Sequence, residues 1–291
     1  MYSLRGKRKA VYEKRILYLG KVSMSTYISS KDNDRLKLIR KLLKSSSERK
    51  NEGLFVVEGQ RLCAEIPEEL IHSVYMSEDY CERIGLHISA PEDRIFIVKN
   101  EIFRAVSDTI SPQGILVIVH IKCYNQNDFL VDAVRDKTPF ILAADRLQDP
   151  GNMGTLIRTA EAAGATGVLI GEGSCDLYSP KVVRSTMGSI FRVPVLRTDS
   201  LGSVIDSLKE YGVVFYGAHL KGESFYEHDY TKACGFLIGN EGNGLSDEIS
   251  EKADKLLRIP MEGQVESLNA AVSTAVISYE VLRQRMRMPK S

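Results

Sequence analysis

Residues 139–164 read Pro139-Phe-Ile-Leu-Ala-Ala-Asp-Arg-Leu-Gln-Asp-Pro-Gly-Asn-Met-Gly-Thr-Leu-Ile-Arg-Thr-Ala-Glu-Ala-Ala-Gly164. The apolar run Phe140–Ala144 predicts a buried strand, and the polar turn after it a loop. Met153, Leu156, Ile157, Ala160 and Ala163 then recur at helical spacing. They predict a helix with Asn152 as N-cap and Gly164 as its terminator. At about 100° per residue, Arg158 projects roughly opposite the apolar stripe. Helix geometry alone reads it either as one more exposed arginine or as a group turned toward a ligand.

The same strand–loop–helix unit repeats downstream. Strands are predicted at Phe140–Ala144, Gly167–Ile170, Val193–Leu196, Val213–Ala218, Gly235–Ile238 and Leu256–Ile259, with helical patterns between most of them. Six strands alternating with helices predict an α/β domain with a parallel, doubly wound sheet. Such sheets bind ligands beyond the carboxyl ends of their strands, so the loops after Ala144, Ile238 and Ile259 carry the interest.

Upstream lies a smaller α/β pattern. A basic helix is predicted over Asp34–Lys50, with Leu36, Ile39, Leu42 and Leu43 inward and Arg35, Lys37, Arg40, Lys41 and Lys44 over the rest. Strands follow at Leu54–Val57, Ser73–Ser77, Arg94–Val98 and Ile115–His120, and helices from Gly59, at Glu78–Ile84 and at Glu101–Val106. The plan is a basic extension over 1–30, a small domain over 31–122, a linker with a short helix over 123–138, and the larger domain over 139–291.

Composition is that of a folded globular chain: 43% hydrophobic and 26% charged in 291 residues, enough for two conventional cores. No apolar run reaches the roughly 18 residues of a membrane span. Five dispersed cysteines (63, 81, 123, 175 and 234) without a CxxC, and five histidines without an HExxH, argue against a disulfide scaffold, a zinc finger or a zincin. They suit a reducing compartment.

The net charge of +1 hides an asymmetry: residues 1–50 carry +11 and the remainder −10. A basic head on an acidic body reads either as a polyanion-binding end or as a solvated tail plus one charged helix. Arg5, Lys7, Arg8, Lys9, Lys14, Arg15 and Lys21 stand against Glu13 alone. They could form an organelle presequence or a nucleic-acid arm, or could precede a true start at Met24. The expected location is cytoplasmic, or mitochondrial if the extension is a presequence.

The second loop reads Gly235-Phe-Leu-Ile-Gly-Asn-Glu-Gly-Asn-Gly244 and then Leu-Ser-Asp-Glu. Its G-x-x-G-x-G spacing is neither the dinucleotide fingerprint nor a Walker A loop, and Glu241 would repel a phosphate. The third reads Leu257-Arg-Ile-Pro-Met261 and then Glu-Gly-Gln-Val-Glu-Ser-Leu-Asn269. A long helix is predicted from near Ser267, with Leu268, Ala271, Val272, Ala275, Val276, Tyr279 and Leu282 as its apolar face. Arg283, Arg285 and Arg287 suit the dipole at its end. Ser267 and Asn269 read either as functional groups or as caps that only satisfy backbone donors.

Together, N-x-G-x-x-x-R-T-A-x-x-x-G, G-x-E-G-x-G-L and I-P-M-x(5)-S-L-N, in that order over roughly residues 139–287, resemble the three motifs of the SpoU (TrmH-type) RNA 2′-O-ribose methyltransferases of the SPOUT class. Residues Arg184–Pro194 are similar to that family's intermediate helix and strand. The small domain resembles the L30e/L7Ae-like substrate-binding domain of rRNA-modifying members. The resemblance implies a trefoil knot at the carboxyl end, S-adenosylmethionine as cofactor without a metal, and a homodimer. It implies Gly239, Ile259, Leu268, Leu237, Gly242 and Met261 as cofactor-binding residues. By the same carry-over Arg158 matches the catalytic arginine, with Asn152, Glu241, Ser267 and Asn269 orienting the arginine, ribose and cofactor loops. Many relatives have Ser-Leu-Asn-Val-Ser-Val-Ala where this chain has Ser267-Leu-Asn-Ala-Ala-Val-Ser273, so a second serine is replaced by Ala271.

The expected function is S-adenosylmethionine-dependent 2′-O-methylation of structured RNA, with large-subunit (23S-type) rRNA as the expected substrate. The basic helix Arg35–Lys50 would offer the phosphate contacts, through Arg35, Lys37, Arg40, Lys41 and Lys44. The alternatives are a tRNA methyltransferase, a non-catalytic RNA-binding or ribosome-assembly protein, and a Rossmann-like nucleotide enzyme whose fingerprint is missing.

Overall fold

The computed structural model describes residues 27–84, 88 and 90–287, with only the backbone of 220 and 221. The basic extension read over 1–30 lies, up to residue 26, outside the described residues. The chain divides into two units, at Ile121 and Lys122.

The first unit runs β1 (Tyr27–Ile28), α1 (Asp34–Lys44), α2 (Ser46–Glu52), β2 (Leu54–Glu58), α3 (Gln60–Cys63), β3 (Ile71–Ser77), α4 (Glu78–Ile84), β4 (Ile95–Val98), α5 (Asn100–Val106) and β5 (Ile115–His120). Its mixed sheet has the order β1-β4-β3-β5-β2. The first three strands are parallel, and β5 runs antiparallel to both its neighbours. Leu36, Ile39 and Leu42 of α1 are buried in one core with Val56, Tyr75, Phe96 and Ile118 of the sheet. The basic helix expected as one piece is two. Ser45 leaves helical geometry at φ −119° and ψ 120°, and its Oγ accepts from the Glu48 N–H to start α2. Arg49 of α2 is buried and donates to the Leu42 carbonyl at the end of α1.

The second unit runs α6 (Gln126–Val134), β6 (Phe140–Ala144), α7 (Pro150–Ala163), β7 (Gly167–Gly171), α8 (Pro180–Thr186), β8 (Val195–Thr198), α9 (Leu201–Glu210), β9 (Val214–Ser224), β10 (Cys234–Ile238), α10 (Asp247–Glu251), β11 (Lys255–Arg258) and α11 (Ala270–Met286). All six strands are parallel, in the order β11-β9-β10-β6-β7-β8. The stretch read as a linker is integral to this unit: α6 buries Phe129, Leu130 and Ala133 in a core with Ile141 and Leu169. On the other face of the sheet, Met153, Leu156, Ile157 and Ala160 of α7 share a core with Leu142, Val168 and Phe236. Each such fully buried side chain contributes roughly 1.5–3 kcal/mol.

Two departures come from the end of the chain. β9 is longer than its apolar run, because pairing with β11 jumps from Leu256–Gly217 to Leu257–Glu223, so that 218–222 bulge from the ladder. α11 buries Ala271, Thr274, Ile277, Ser278 and Val281, whereas Val272 and Tyr279 of the expected face are exposed. Arg285 does more than oppose a dipole: its guanidinium donates to the carbonyls of Thr138, Pro139, Tyr230 and Lys232, tying α11 to the entrances of β6 and β10.

Candidate active site

The loops after β6, β10 and β11 leave the carboxyl ends of parallel strands and are tied together by three side chains. Helix α7 starts earlier than expected. Asp149, followed by Pro150 at the first turn, is its N-cap, and Asp149 Oδ1 accepts from the Asn152 N–H at 2.8 Å. An Asp-Pro start is a standard opening. It releases the side chain of Asn152, which the sequence reading had as the cap. Asn152 Nδ2 donates to Glu241 Oε1 at 3.0 Å, and Asn152 Oδ1 accepts from Asn269 Nδ2 at 3.0 Å. Asn269 is itself the N-cap of α11, its Oδ1 accepting from the N–H groups of Ala271 and Val272. Asn269 thus caps α11 through its Oδ1 while its Nδ2 bonds Asn152.

Glu241 is the hub of the arrangement. Besides Asn152, its carboxylate accepts from the backbone N–H groups of Asp149 at 2.9 Å and Gln148 at 3.1 Å. Burial pushes this carboxyl up, but the donors from Asn152 and the backbone outweigh it and hold the group below the usual glutamate range. It is therefore an anion at neutral pH, with both oxygens accepting from the chain's own donors.

The glycine-rich turn is closed on itself. Asn240 and Gly244 exchange both backbone hydrogen bonds, at 2.9 and 3.0 Å. A Cβ on Gly239 would lie 2.2 Å from the Gly244 carbonyl carbon, so the close approach that demands glycine here is within the turn. Asn240 Oδ1 accepts from the Gly242 and Asn243 N–H groups, and its Nδ2 donates to the Arg146 carbonyl. Arg146 sits in left-handed backbone at φ 53°. Nearby, buried Asp145 accepts from the Ser246 N–H at 2.6 Å. Asp145, Asp149 and Asn240 were not singled out from sequence. Asp149-Pro150 was the available signal for one of them; Asp145 and Asn240 act on backbone groups far along the chain and left none.

Gly154 of the first motif has a packing reason. A Cβ there would fall 2.3 Å from the Ser185 Cβ and 2.9 Å from the Val182 carbonyl oxygen, so α7 and α8 cross at backbone distance.

The remaining expected residues are less gathered. Arg158 is exposed on α7 and, among the described residues, makes no hydrogen bond or ion pair, so Asn152, Glu241 and Asn269 do not hold it directly. Ser267 is exposed and likewise unpartnered among the described residues. Ile259, Met261 and Leu268 are half-buried, and Gly242 is exposed. The Leu237 side chain is fully buried in the core with Phe215 and Ile249, which leaves only its backbone for a ligand. Ala271 is buried, its N–H bound by Asn269.

In the first unit, the basic residues of α1 are largely engaged. Arg35 stacks over the Phe96 ring at 4.2 Å. Lys37 pairs with Asp34 at 2.7 Å, Arg40 donates to the Lys31 carbonyl, and Lys41 lies 3.6 Å from Glu48. Lys44 is exposed, without a partner among the described residues.

Residues 139–279 match the SpoU rRNA Methylase family, and residues 33–117 match the MRM3-like substrate binding domain. The chain is 34% identical over 258 residues to the 23S rRNA (guanosine(2553)-2′-O)-methyltransferase RlmP of Bacillus subtilis, spanning 87% of this chain and 98% of that one. Among solved structures, it is similar to the SpoU methyltransferase AviRb from Streptomyces viridochromogenes in complex with AdoMet: TM-score 0.77, 26% identity, 88% of this chain and 100% of that one. It is also similar to an AdoMet-bound rRNA methyltransferase from Sinorhizobium meliloti, with TM-score 0.75, 30% identity, and coverage of 88% and 97%.

Proposed function

This chain belongs to the SpoU rRNA methylase family, and from that premise we propose how it acts: as an S-adenosylmethionine-dependent methyltransferase of a ribose 2′-oxygen in large-subunit, 23S-type rRNA. The observation that carries the reading is the Glu241–Asn152–Asn269 chain of hydrogen bonds, which fastens the three strand-end loops into one surface.

The residues present fit the cofactor. A closed turn at 240–244 exposes backbone, and half-buried Ile259, Met261 and Leu268 offer an apolar face for adenine and the methionine stem. Glu241, Asn152 and Asn269 hold these loops in place. S-adenosylmethionine supplies, when bound, a methyl group already activated on a sulfonium, so the chemistry calls for no metal. A guanidinium is a poor base, which argues against that role for Arg158. Its guanidinium instead clamps the phosphate beside the target ribose and stabilises charge as the hydroxyl oxygen loses its proton to solvent. Ser267, exposed at the third loop, is cast as a ribose-orienting hydroxyl.

The proposal includes a trefoil knot, supported by the return of the loop after β11, at the sheet edge, to the loop after β6. It takes the first unit as an L30e/L7Ae-like domain that holds RNA. It includes a homodimer, supported by an exposed apolar face on α11: Val272, Tyr279 and Met286 recur every seventh residue and are 48%, 53% and 75% exposed. All five cysteines are free thiols, which suits the cytoplasm as the proposed location. Incubation with methyl-labelled cofactor and unmodified large-subunit rRNA, followed by nucleoside analysis, tests the reading; label on a base instead of a ribose would overturn it.

A further inference from the structure

Asp145 is a buried carboxyl that the reaction drawn above does not use. It stands just past the end of β6, where its own N–H still extends the sheet by donating to the Ile238 carbonyl of β10 at 2.8 Å. Resting on the S-adenosylmethionine-binding reading above, we infer that Asp145 is a positioning residue for the cofactor: it fixes the glycine-rich turn in the form that binds S-adenosylmethionine.

The turn is gripped at both ends by two successive residues. At its entrance, Asn240 Nδ2 donates to the Arg146 carbonyl at 2.9 Å. At its exit, the Ser246 N–H donates to Asp145 Oδ2 at 2.6 Å, across 101 residues of sequence. The other carboxyl oxygen, Oδ1, lies 3.5 Å from Arg146 Nε. Between the grips, the N–H and C=O of Gly239 have no partner among the described residues and stay open to a ligand.

Arg146 carries the strain of this arrangement. It is one of two non-glycine residues with positive φ among the described residues, in a region that disfavours a β-carbon. Such backbone persists where its neighbours over-determine it, and it collects at functional sites. Three contacts hold the path here: the Asp145 N–H to Ile238, the Arg146 carbonyl to Asn240, and the Leu147 N–H to Ser174 Oγ at 3.1 Å. The left-handed residue lets the Asp145 carboxyl and the Arg146 carbonyl serve the same turn.

The middle of the turn is held separately, by Glu241 on the N–H groups of Gln148 and Asp149 and on the Asn152 amide. Releasing the exit alone therefore loosens the turn while Glu241 keeps its hold on the first loop. A turn ordered before binding spends less on ordering when the cofactor arrives. The effect of Asp145 thus belongs in cofactor affinity and not in methyl transfer at saturation.

The test uses the full chain, with unmodified large-subunit rRNA for turnover, well below every thermal midpoint. S-adenosylmethionine affinity by calorimetry, KM for the cofactor and kcat at saturating cofactor are measured for Asp145→Ala, Asp145→Asn, Ser246→Ala and Ser246→Pro. Asp145→Ala should weaken S-adenosylmethionine binding and raise its KM about tenfold, with kcat within about threefold of the parent. Asp145→Asn keeps an oxygen for the Ser246 N–H and should restore affinity to within about threefold. Position 246 has φ −66°, which suits proline, so Ser246→Pro deletes the N–H, whereas Ser246→Ala loses only the hydroxyl that caps α10. The proline variant should bind the cofactor about tenfold more weakly than the alanine variant. Affinity of Asp145→Ala within about twofold of the parent makes Asp145 a structural residue only and overturns the inference. A loss that Asp145→Asn fails to restore overturns it too. If Asp145→Ala does not fold, the Ser246 pair decides, and equal affinities overturn the inference. A parent chain that binds no S-adenosylmethionine sinks the cofactor reading and this inference with it; a parent that binds it beside an indifferent Asp145→Ala sinks this inference alone.

Discussion

Asn269 and Asn152, 117 residues apart in the chain, are joined by a 3.0 Å hydrogen bond from Nδ2 of the first to Oδ1 of the second. Each is also committed elsewhere: Asn269 Oδ1 to the first N–H groups of α11, and Asn152 Nδ2 to Glu241. An amide side chain accepts at its oxygen and donates at its nitrogen, so it can cap a helix or bond a carboxylate while bonding a second amide. This single contact couples the start of α11 to the first turn of α7.

Asn152→Ala and Asn269→Ala should therefore behave as one unit. Each leaves partly buried partners unpaired, costing about 1–3 kcal/mol, and loosened loops should lower kcat by about 10²-fold. Denaturant titrations of the single and double variants form a cycle. Non-additivity above about 0.5 kcal/mol is expected; additive losses would mean the two amides act independently.

Glu241 gives the site a signature in acid. Its folded-state carboxyl lies below the ordinary range, so its contribution to stability is complete above about pH 5 and is lost as pH falls through the depressed value. Glu241→Gln removes the charge and turns an –NH2 toward backbone N–H groups. The parent should melt higher than this variant at pH 7, with the gap closing below about pH 4. The variant isolates this group from Glu161 and Glu280, which are depressed chiefly by hydrogen bonds from Arg192 and Arg283 respectively. A gap constant from pH 7 to pH 3 would remove Glu241 as the hub.

Arg158 stands apart from that lattice, exposed and without a partner among the described residues. Arg158→Ala should leave the thermal midpoint and S-adenosylmethionine affinity unchanged and cut methyl transfer by about 10³-fold. Arg158→Lys should recover little, because a bidentate phosphate clamp needs the planar fork. Near-parental turnover in Arg158→Ala takes this residue out of the mechanism.

The exposed face of α11 makes a prediction about assembly. Tyr279→Asp places a charge amid Val272 and Met286 without touching the buried face of the helix. Sedimentation should show the parent as a dimer and the variant as a monomer. A monomeric parent would leave that face without a second copy to cover it.

Much of this architecture is legible in residue order. The six runs between Phe140 and Ile259 all contribute to strands, and in the central β6, β7 and β10 every position is buried because both faces of the parallel sheet are covered. Where two readings competed, local pattern alone did not decide. Ser45-x-x-Glu48 is a capping-box spacing that breaks the basic helix, and Asp149-Pro150 opens α7 before Asn152. α11 is apolar on two faces, so periodicity offers two stripes and only packing selects Ala271, Ile277 and Val281. In α6, Phe129 and Leu130 are diluted by Asn127, Asp128 and Asp132, which made a packed helix resemble a linker. The meeting of Glu241, Asn152 and Asn269 depends on strand order, which spacing does not encode.

The most direct test of the account is the position of the transferred methyl group. The full chain, given methyl-labelled S-adenosylmethionine and large-subunit rRNA from cells lacking it, should yield label in one 2′-O-methylated nucleoside after digestion, and none with Arg158→Ala. Label on a base, or no label in any rRNA despite tight RNA binding, would contradict it.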